Sequence, residues 1–295
     1  MYIINKNLII LGLMAAFIVS PGNAARAQSE PEDTSSAPHK PVYHVNYWVS
    51  VPIIVVGAAS GFYITAHPKD TISNAELAAA QQNPDNVPSF DRMALHQDIG
   101  RVSTWDVYAQ IGQLVGSVIP FTILLDKDAR HDWLDVLTIG AEVNMVAVGI
   151  YSISPLGPMF QTRYRPLVYY PPADAKAAGI YQENGNNKDS FFSGHVSSVA
   201  ASTFFVAKVY CDYHPDANKY IAYSLAAVPP LAMGVIRIMT LDHFPSDIAV
   251  GITVGTLCGV LIPELHKIGG KDMSIGAYSS PTSGTGLTLN WNMGR

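Results

Sequence analysis

The residues of this chain best placed to do chemistry lie between Arg237 and Asp247: an arginine, a histidine six positions on, and an aspartate four further. Pro245 suits the first helical turn, where its missing N–H costs nothing. His243 then stands just outside a helix start and Asp247 within its first turn. From there the carboxylate is expected to accept a hydrogen bond from one imidazole nitrogen, leaving the other facing outward. A histidine oriented in this way is a nucleophile in waiting. Arg237 adds a planar, permanently charged fork suited to phosphate oxygens. The competing reading is a capped helix whose histidine merely packs against a loop.

Two other groups carry matching chemistry. Gln161 to Pro166 holds two guanidiniums, Arg163 and Arg165. Taken alone, such a pair could equally face solvent or lipid headgroups. Ser193-Gly194-His195 opens an apolar segment. Ser193 is a suitable N-cap, and Gly194 lets a ligand approach the backbone closely. The free N–H groups and dipole of a helix start make a phosphate cradle there, with His195 positioned to donate a proton.

These groups need elements to position them. Asn46 to Ala66 runs 21 residues without an acidic or basic side chain, long enough to cross a bilayer. Ala109 to Leu125, Leu134 to Ile153, Phe191 to Ala207, Tyr220 to Ile236 and Ile248 to Pro263 are further apolar stretches. The fourth is rich in small residues, which permit close helix packing. We therefore expect an all-α fold, a bundle of about six apolar helices embedded in a membrane, over residues 46–263. Mean hydropathy is +0.17, which a buried soluble helical domain also produces, but the uncharged stretches favour the membrane. Residues 264–295 are a polar tail in which Gly286 to Met293 alternates like a short strand.

Composition narrows the partners. Charged residues make up 14% of the 295 and the net charge is −5. No basic run stands out, so nucleic acid is not an expected partner. The two cysteines, Cys211 and Cys258, are too few for a disulfide framework and read as small buried hydrophobes. Lys6, the apolar run Leu8 to Ser20, and Ala25-Arg26-Ala27 before Gln28 read as an export signal over residues 1–27, with a membrane anchor as the alternative. Residues 28–45 read as a polar linker. In a bacterium the destination is then the inner membrane or the periplasm.

Lys127, Arg130, Lys208, Lys219, Lys267 and Lys271 flank alternate connections, which puts those connections on the cytoplasmic side and the Arg165 and His243 loops on the periplasmic side. An exported Gln28 followed by six full crossings conflicts with this. The conflict disappears if Asn46 to Ala66, interrupted by Pro52, Gly57 and Gly61, stops short of crossing.

Arg165-Pro166, Ser193-Gly194-His195 and Arg237-x5-His243-x3-Asp247, in that order and at helix ends, resemble the signature of the type 2 phosphatidic acid phosphatase superfamily. The gaps are 29 residues between Arg165 and His195 and 41 between His195 and Arg237. The resemblance covers Leu134 to Pro263. It departs from the pattern at Pro158, where the family has a lysine, and at Phe192 and Ile236. Arg163, Lys176 or Lys188 are the candidates to replace that lysine. The resemblance implies a phosphohydrolase that needs neither metal nor other cofactor. By similarity His243 attacks phosphorus, Asp247 orients it, and His195 protonates the leaving oxygen and then activates water. Arg165, Arg237 and the backbone at Ser193 and Gly194 would hold the phosphate. A lipid phosphate or pyrophosphate at the periplasmic face is the expected substrate. The alternatives are a soluble periplasmic acid phosphatase, a vanadate-dependent haloperoxidase, and a membrane scaffold whose site has decayed.

Overall fold

The computed structural model describes residues 40–268, 273–280 and 284–291. The expected signal over 1–27 and most of the linker lie outside the described residues. Six long helices form the bundle: α1 (Tyr47–Ala66), α3 (Val102–Val118), α5 (Trp133–Ile153), α7 (Gly194–Tyr213), α8 (Lys219–Met239) and α9 (Pro245–His266). Shorter helices α2 (Asn74–Gln82), α4 (Lys127–His131) and α6 (Pro172–Ala177) sit in the connections. Past the bundle, β1 (Met273–Ser280) and β2 (Gly284–Trp291) pair antiparallel, Met273 opposite Trp291 and Ser280 opposite Gly284. The strand expected at Gly286 to Met293 is thus half of a hairpin.

Among the described residues five segments are long and apolar enough to cross a membrane: α1, the run Ile99–Leu125 containing α3, α5, α8 and α9. Their outer faces are apolar and exposed, as at Trp48, Val56, Phe62, Leu225 and Leu257. Lipid accepts such a surface where water would not. The bundle is membrane-embedded. The sixth helix, α7, is the axial one. Val196, Ala200, Ala201, Phe205 and Val209 are fully buried along it; Ala201, Phe205 and Val209 pack with Val136, Ile139 and Val143 of α5 and Ile262 of α9, and Val196 with Met233 of α8 and Ile248 of α9. Because its neighbours cover it, α7 tolerates Ser197, Ser202, Thr203 and Lys208, all buried.

Small residues let the helices approach closely. A Cβ on Gly255 would lie 2.1 Å from the Ser197 carbonyl oxygen, and one on Gly259 would lie 2.7 Å from that of Ala201. Replacing Gly255 with valine is expected to push α9 off α7 and cost at least about 1–3 kcal/mol, read as a lowered Tm in detergent.

The same device corrects one expectation. Asn46 to Ala66 does not stop short: α1 is one continuous 20-residue helix through Pro52, capped by the Asn46 side chain. Gly57, expected to break it, instead brings α1 against α5, where a Cβ would meet the Met145 carbonyl oxygen at 2.2 Å. The six helices therefore alternate in direction. The ends of α1, α5 and α8 meet the starts of α3, α7 and α9 at one end of the bundle.

The opposite end is closed by buried ion pairs. Lys208 pairs with Asp212 and, at 2.6 Å, with Glu264; Lys267 pairs with Asp212 at 2.7 Å. The Tyr43 hydroxyl donates to Asp212 at 2.6 Å, and His266 meets Glu142 at 3.0 Å. Tyr43 and Lys267 form an antiparallel bridge that fixes the chain before α1 to this end. Cys211 and Cys258 are both free and buried.

Candidate active site

The loop from 154 to 193 is pinned in two places. Arg163 forms a parallel bridge with Asp189, and the Arg165 N–H donates to the Asn187 carbonyl at 2.9 Å. The Leu167 N–H donates to the Leu241 carbonyl at 3.1 Å, which ties this loop to the turn after α8. Leu241 has φ of 59°, a conformation costly for a branched side chain, and is fully buried. This sharp turn folds residues 242 and 243 back so that both N–H groups reach the Arg237 carbonyl at 3.3 Å.

The result is one cavity of about 390 Å³ lined by Arg165, Arg237, His195 and His243 together with Gly194. Side chains from the second and third connections at that end, and from the helix ends they join, thus meet, although Arg165 and His243 are far apart in sequence. Tyr151 packs on Gly194: a Cβ there would touch the Tyr151 ring at 3.3 Å, so glycine keeps this wall open. The first N–H groups of α7 have no carbonyl to pair with inside the helix, and Gly194 and His195 of this first turn line the cavity. Ser193 stands at the N-cap position, but its hydroxyl makes no capping bond and is buried without a partner.

The two arginines are held by a residue that the motif spacing did not single out. Asp242 accepts from Arg165 through one carboxylate oxygen and from Arg237 at 2.9 Å through the other. Burial alone would raise its carboxyl, but Arg237 and Arg165 outweigh that and hold it well below the usual carboxylate range. Both guanidiniums keep a buried Nε without a partner. An unpaired charged donor favours an anionic partner.

Asp247 differs from the expectation. His243 Nδ1 lies 2.6 Å from the Ser190 carbonyl and 4.0 Å from Asp247, beyond hydrogen-bond range. With a carbonyl as its only close partner, Nδ1 carries the proton and Nε2 holds the lone pair. Asp247 instead accepts from the Ser190 hydroxyl at 2.6 Å and the Phe244 N–H at 2.8 Å. It therefore orients His243 at one remove, by fixing the segment that bears the carbonyl.

Arg163 is also placed elsewhere. It does not line the cavity. Its guanidinium pairs with Asp247 and, at 2.7 Å, with Asp91, donates to Ser246 at 2.8 Å, and lies 4.6 Å from the Phe244 ring centre. Its guanidinium is thus engaged by two buried carboxylates outside the cavity lining. Nor do the lysines considered as substitutes at Pro158 reach the cavity: Lys188 pairs with Glu76 at 3.1 Å, and Lys176 is exposed. The cation beside the cavity is Lys69, from the segment after α1. It pairs at 2.9 Å with Asp189, a lining residue. Burial raises the Asp189 carboxyl, with Lys69 and Arg165 opposing.

Among the described residues one group has metal-ligand spacing, Asp126, Asp128 and His214, at the other end of the bundle. It is explained by local structure, since Asp126 caps α4 and pairs with His214 at 2.7 Å.

Comparison with known proteins adds three findings. No curated protein matches the chain. Among solved structures it is similar to the first transmembrane PAP2-type phosphatidylglycerolphosphate phosphatase from Bacillus subtilis. That likeness has 15% identity and a TM-score of 0.37, over 73% of this chain and 94% of the other. The sequence model of the PAP2 superfamily matches residues 140–268. That span holds Arg165, Gly194, His195, Arg237 and His243, so the part of the chain that lines the cavity is where it is similar to the PAP2 superfamily.

Proposed function

We propose that the chain hydrolyses the phosphate ester of a membrane lipid through a phosphohistidine on His243. The observation that carries this reading is the meeting of two imidazoles and two guanidiniums around one cavity, at the end of a bundle whose flanks are apolar. Arg165, Arg237 and the first N–H groups of α7 hold the equatorial phosphate oxygens. Nε2 of His243 attacks phosphorus as the ester P–O bond breaks, and His195 gives its proton to the departing alkoxide. Water then loses a proton to His195 and attacks phosphorus; the N–P bond breaks and inorganic phosphate leaves. Positioning and fixed positive charge carry most of such a reaction. The Asp242 carboxylate keeps the two guanidiniums in register before the substrate arrives.

The test is phosphate release from lipid phosphates in mixed micelles by wild type and by His243→Ala, with release expected from the first alone. Equal release from both would overturn the reading.

Acid sensitivity follows from the burial of His243. Burial pushes this imidazole well below its ordinary value, and the Arg237 and Arg165 charges push it further. The nucleophile is the neutral form, present above the folded pKa and lost as pH falls through it. An ordinary imidazole would be half protonated near pH 6.5. Here kcat/KM is expected to hold from pH 7 to 6 and to fall only further into acid. A pH profile that breaks near 6.5 would contradict this.

We place the cavity on the periplasmic face, from Lys127, Arg130, Lys219 and Lys267 at the other end. With six alternating helices this orientation keeps Asn46 in the cytoplasm. That conflicts with an exported Gln28, so the two expectations drawn from the sequence cannot both hold.

A further inference from the structure

Tyr151 stands in the last turn of α5 and lines the cavity beside Arg165, Arg237, His195 and His243, yet the chemistry described above gives it no part. Three contacts hold it in place. Its ring lies over Gly194, where a Cβ would come within 3.3 Å of it, and meets the Phe192 ring edge-on with centroids 5.6 Å apart. Behind it the chain doubles back so closely that a Cβ on Gly157 would lie 1.8 Å from the Tyr151 carbonyl oxygen. Backbone and ring are both pinned, and the hydroxyl lies within electrostatic reach of Arg165, Arg237, Asp189 and Asp242. Elsewhere Tyr43, Tyr164 and Tyr213 give their hydroxyls to Asp212, Glu76 and Asp132. The Tyr151 hydroxyl, with two carboxylates in its own neighbourhood, makes no hydrogen bond among the described residues. Those carboxylates are taken: Asp242 accepts from both guanidiniums, and Asp189 pairs with Lys69. Arg163 and Lys188 are engaged by Asp91, Asp247 and Glu76. The phenol is thus an uncommitted donor that brings direction without charge.

We propose that Tyr151 is a further catalytic residue, whose hydroxyl donates to a non-bridging phosphate oxygen of the substrate and keeps that bond through the transition state. This rests on the phosphatase reading and adds a ligand to the same phosphate. A hydrogen bond to a charged oxygen is about twice as strong as one between neutral groups. A donor fixed before the substrate arrives also costs no reorganisation when it is used. Phenylalanine would pack in the same way against Gly194 and Phe192, but would leave the oxygen without its donor.

The experiment compares Tyr151→Phe with wild type by three readings in detergent: kcat/KM for a lipid phosphate in mixed micelles, affinity for inorganic phosphate by titration calorimetry, and Tm. Tyr151→Phe is expected to lower kcat/KM by about ten- to a hundredfold and to weaken phosphate binding by a similar factor, with Tm unchanged. Phe192→Leu is the counterpart, since it removes the ring contact and spares the hydroxyl. It is expected to lower Tm while phosphate affinity stays within about threefold of wild type. Wild-type phosphate affinity in Tyr151→Phe overturns the inference, whatever the turnover, and leaves the phosphatase reading intact. A loss of affinity that follows Tm in both variants does the same, and assigns Tyr151 to packing alone. A wild type that hydrolyses no lipid phosphate overturns the phosphatase reading instead. The phosphate titration needs no turnover, so it then still decides whether the hydroxyl meets the anion.

Discussion

His243→Ala is expected to lower kcat by about 10⁴-fold or more, since loss of a nucleophile that acts as part of a unit removes nearly all of the unit's effect. The other imidazole at the cavity, His195, is the one proposed for proton transfer, and the guanidiniums are permanently protonated. With labelled substrate and a rapid quench, wild type should carry phosphate in a linkage stable to alkali and labile to acid. The alanine variant should carry none. Turnover retained in a clean preparation of the variant would assign the attack to water or to His195.

Arg163→Ala is expected to act on stability. Its partners Asp247 and Asp91 are 0% and 2% exposed, so removing the guanidinium strands two carboxylates in a dry environment. Loss of one member of a buried pair typically costs about 3–5 kcal/mol. Arg163→Lys should recover little, because a single ammonium cannot reach Asp91, Ser246 and Asp247 together. Thermal unfolding in detergent reads the loss, and KM measured below the transition should change little. A raised KM with unchanged Tm would instead return Arg163 to the phosphate.

The two arginines illustrate what the sequence could and could not disclose. Arg165 and Arg237 were legible because each stands at a fixed spacing from a histidine or proline at a helix boundary, and that spacing is local. Arg163 looked equivalent to Arg165, two positions away. In an extended segment such neighbours share a face, yet here they part company because Asp91 and Asp247 claim one and Asp242 the other. Asp91 and Lys69 come from a segment between α1 and α3 that reads only as a polar surface loop. Their partners are settled by tertiary packing and leave no local pattern. Asp242 had a usable signal: an acidic residue beside the histidine and five after the arginine. The Ser190 carbonyl had none, being backbone. The bundle itself was legible from uncharged runs, though glycines in α1 read as breaks when they are points of close approach.

The bridge between Tyr43 and Lys267 ties the entry and exit of the bundle together at the end remote from the cavity. Both strands of polypeptide leaving the bundle, toward residue 40 and toward the hairpin, therefore depart from the end remote from the cavity. Labelling a cysteine introduced at Lys40 from one side of a sealed vesicle would thus report, without touching the site, which compartment receives the released phosphate.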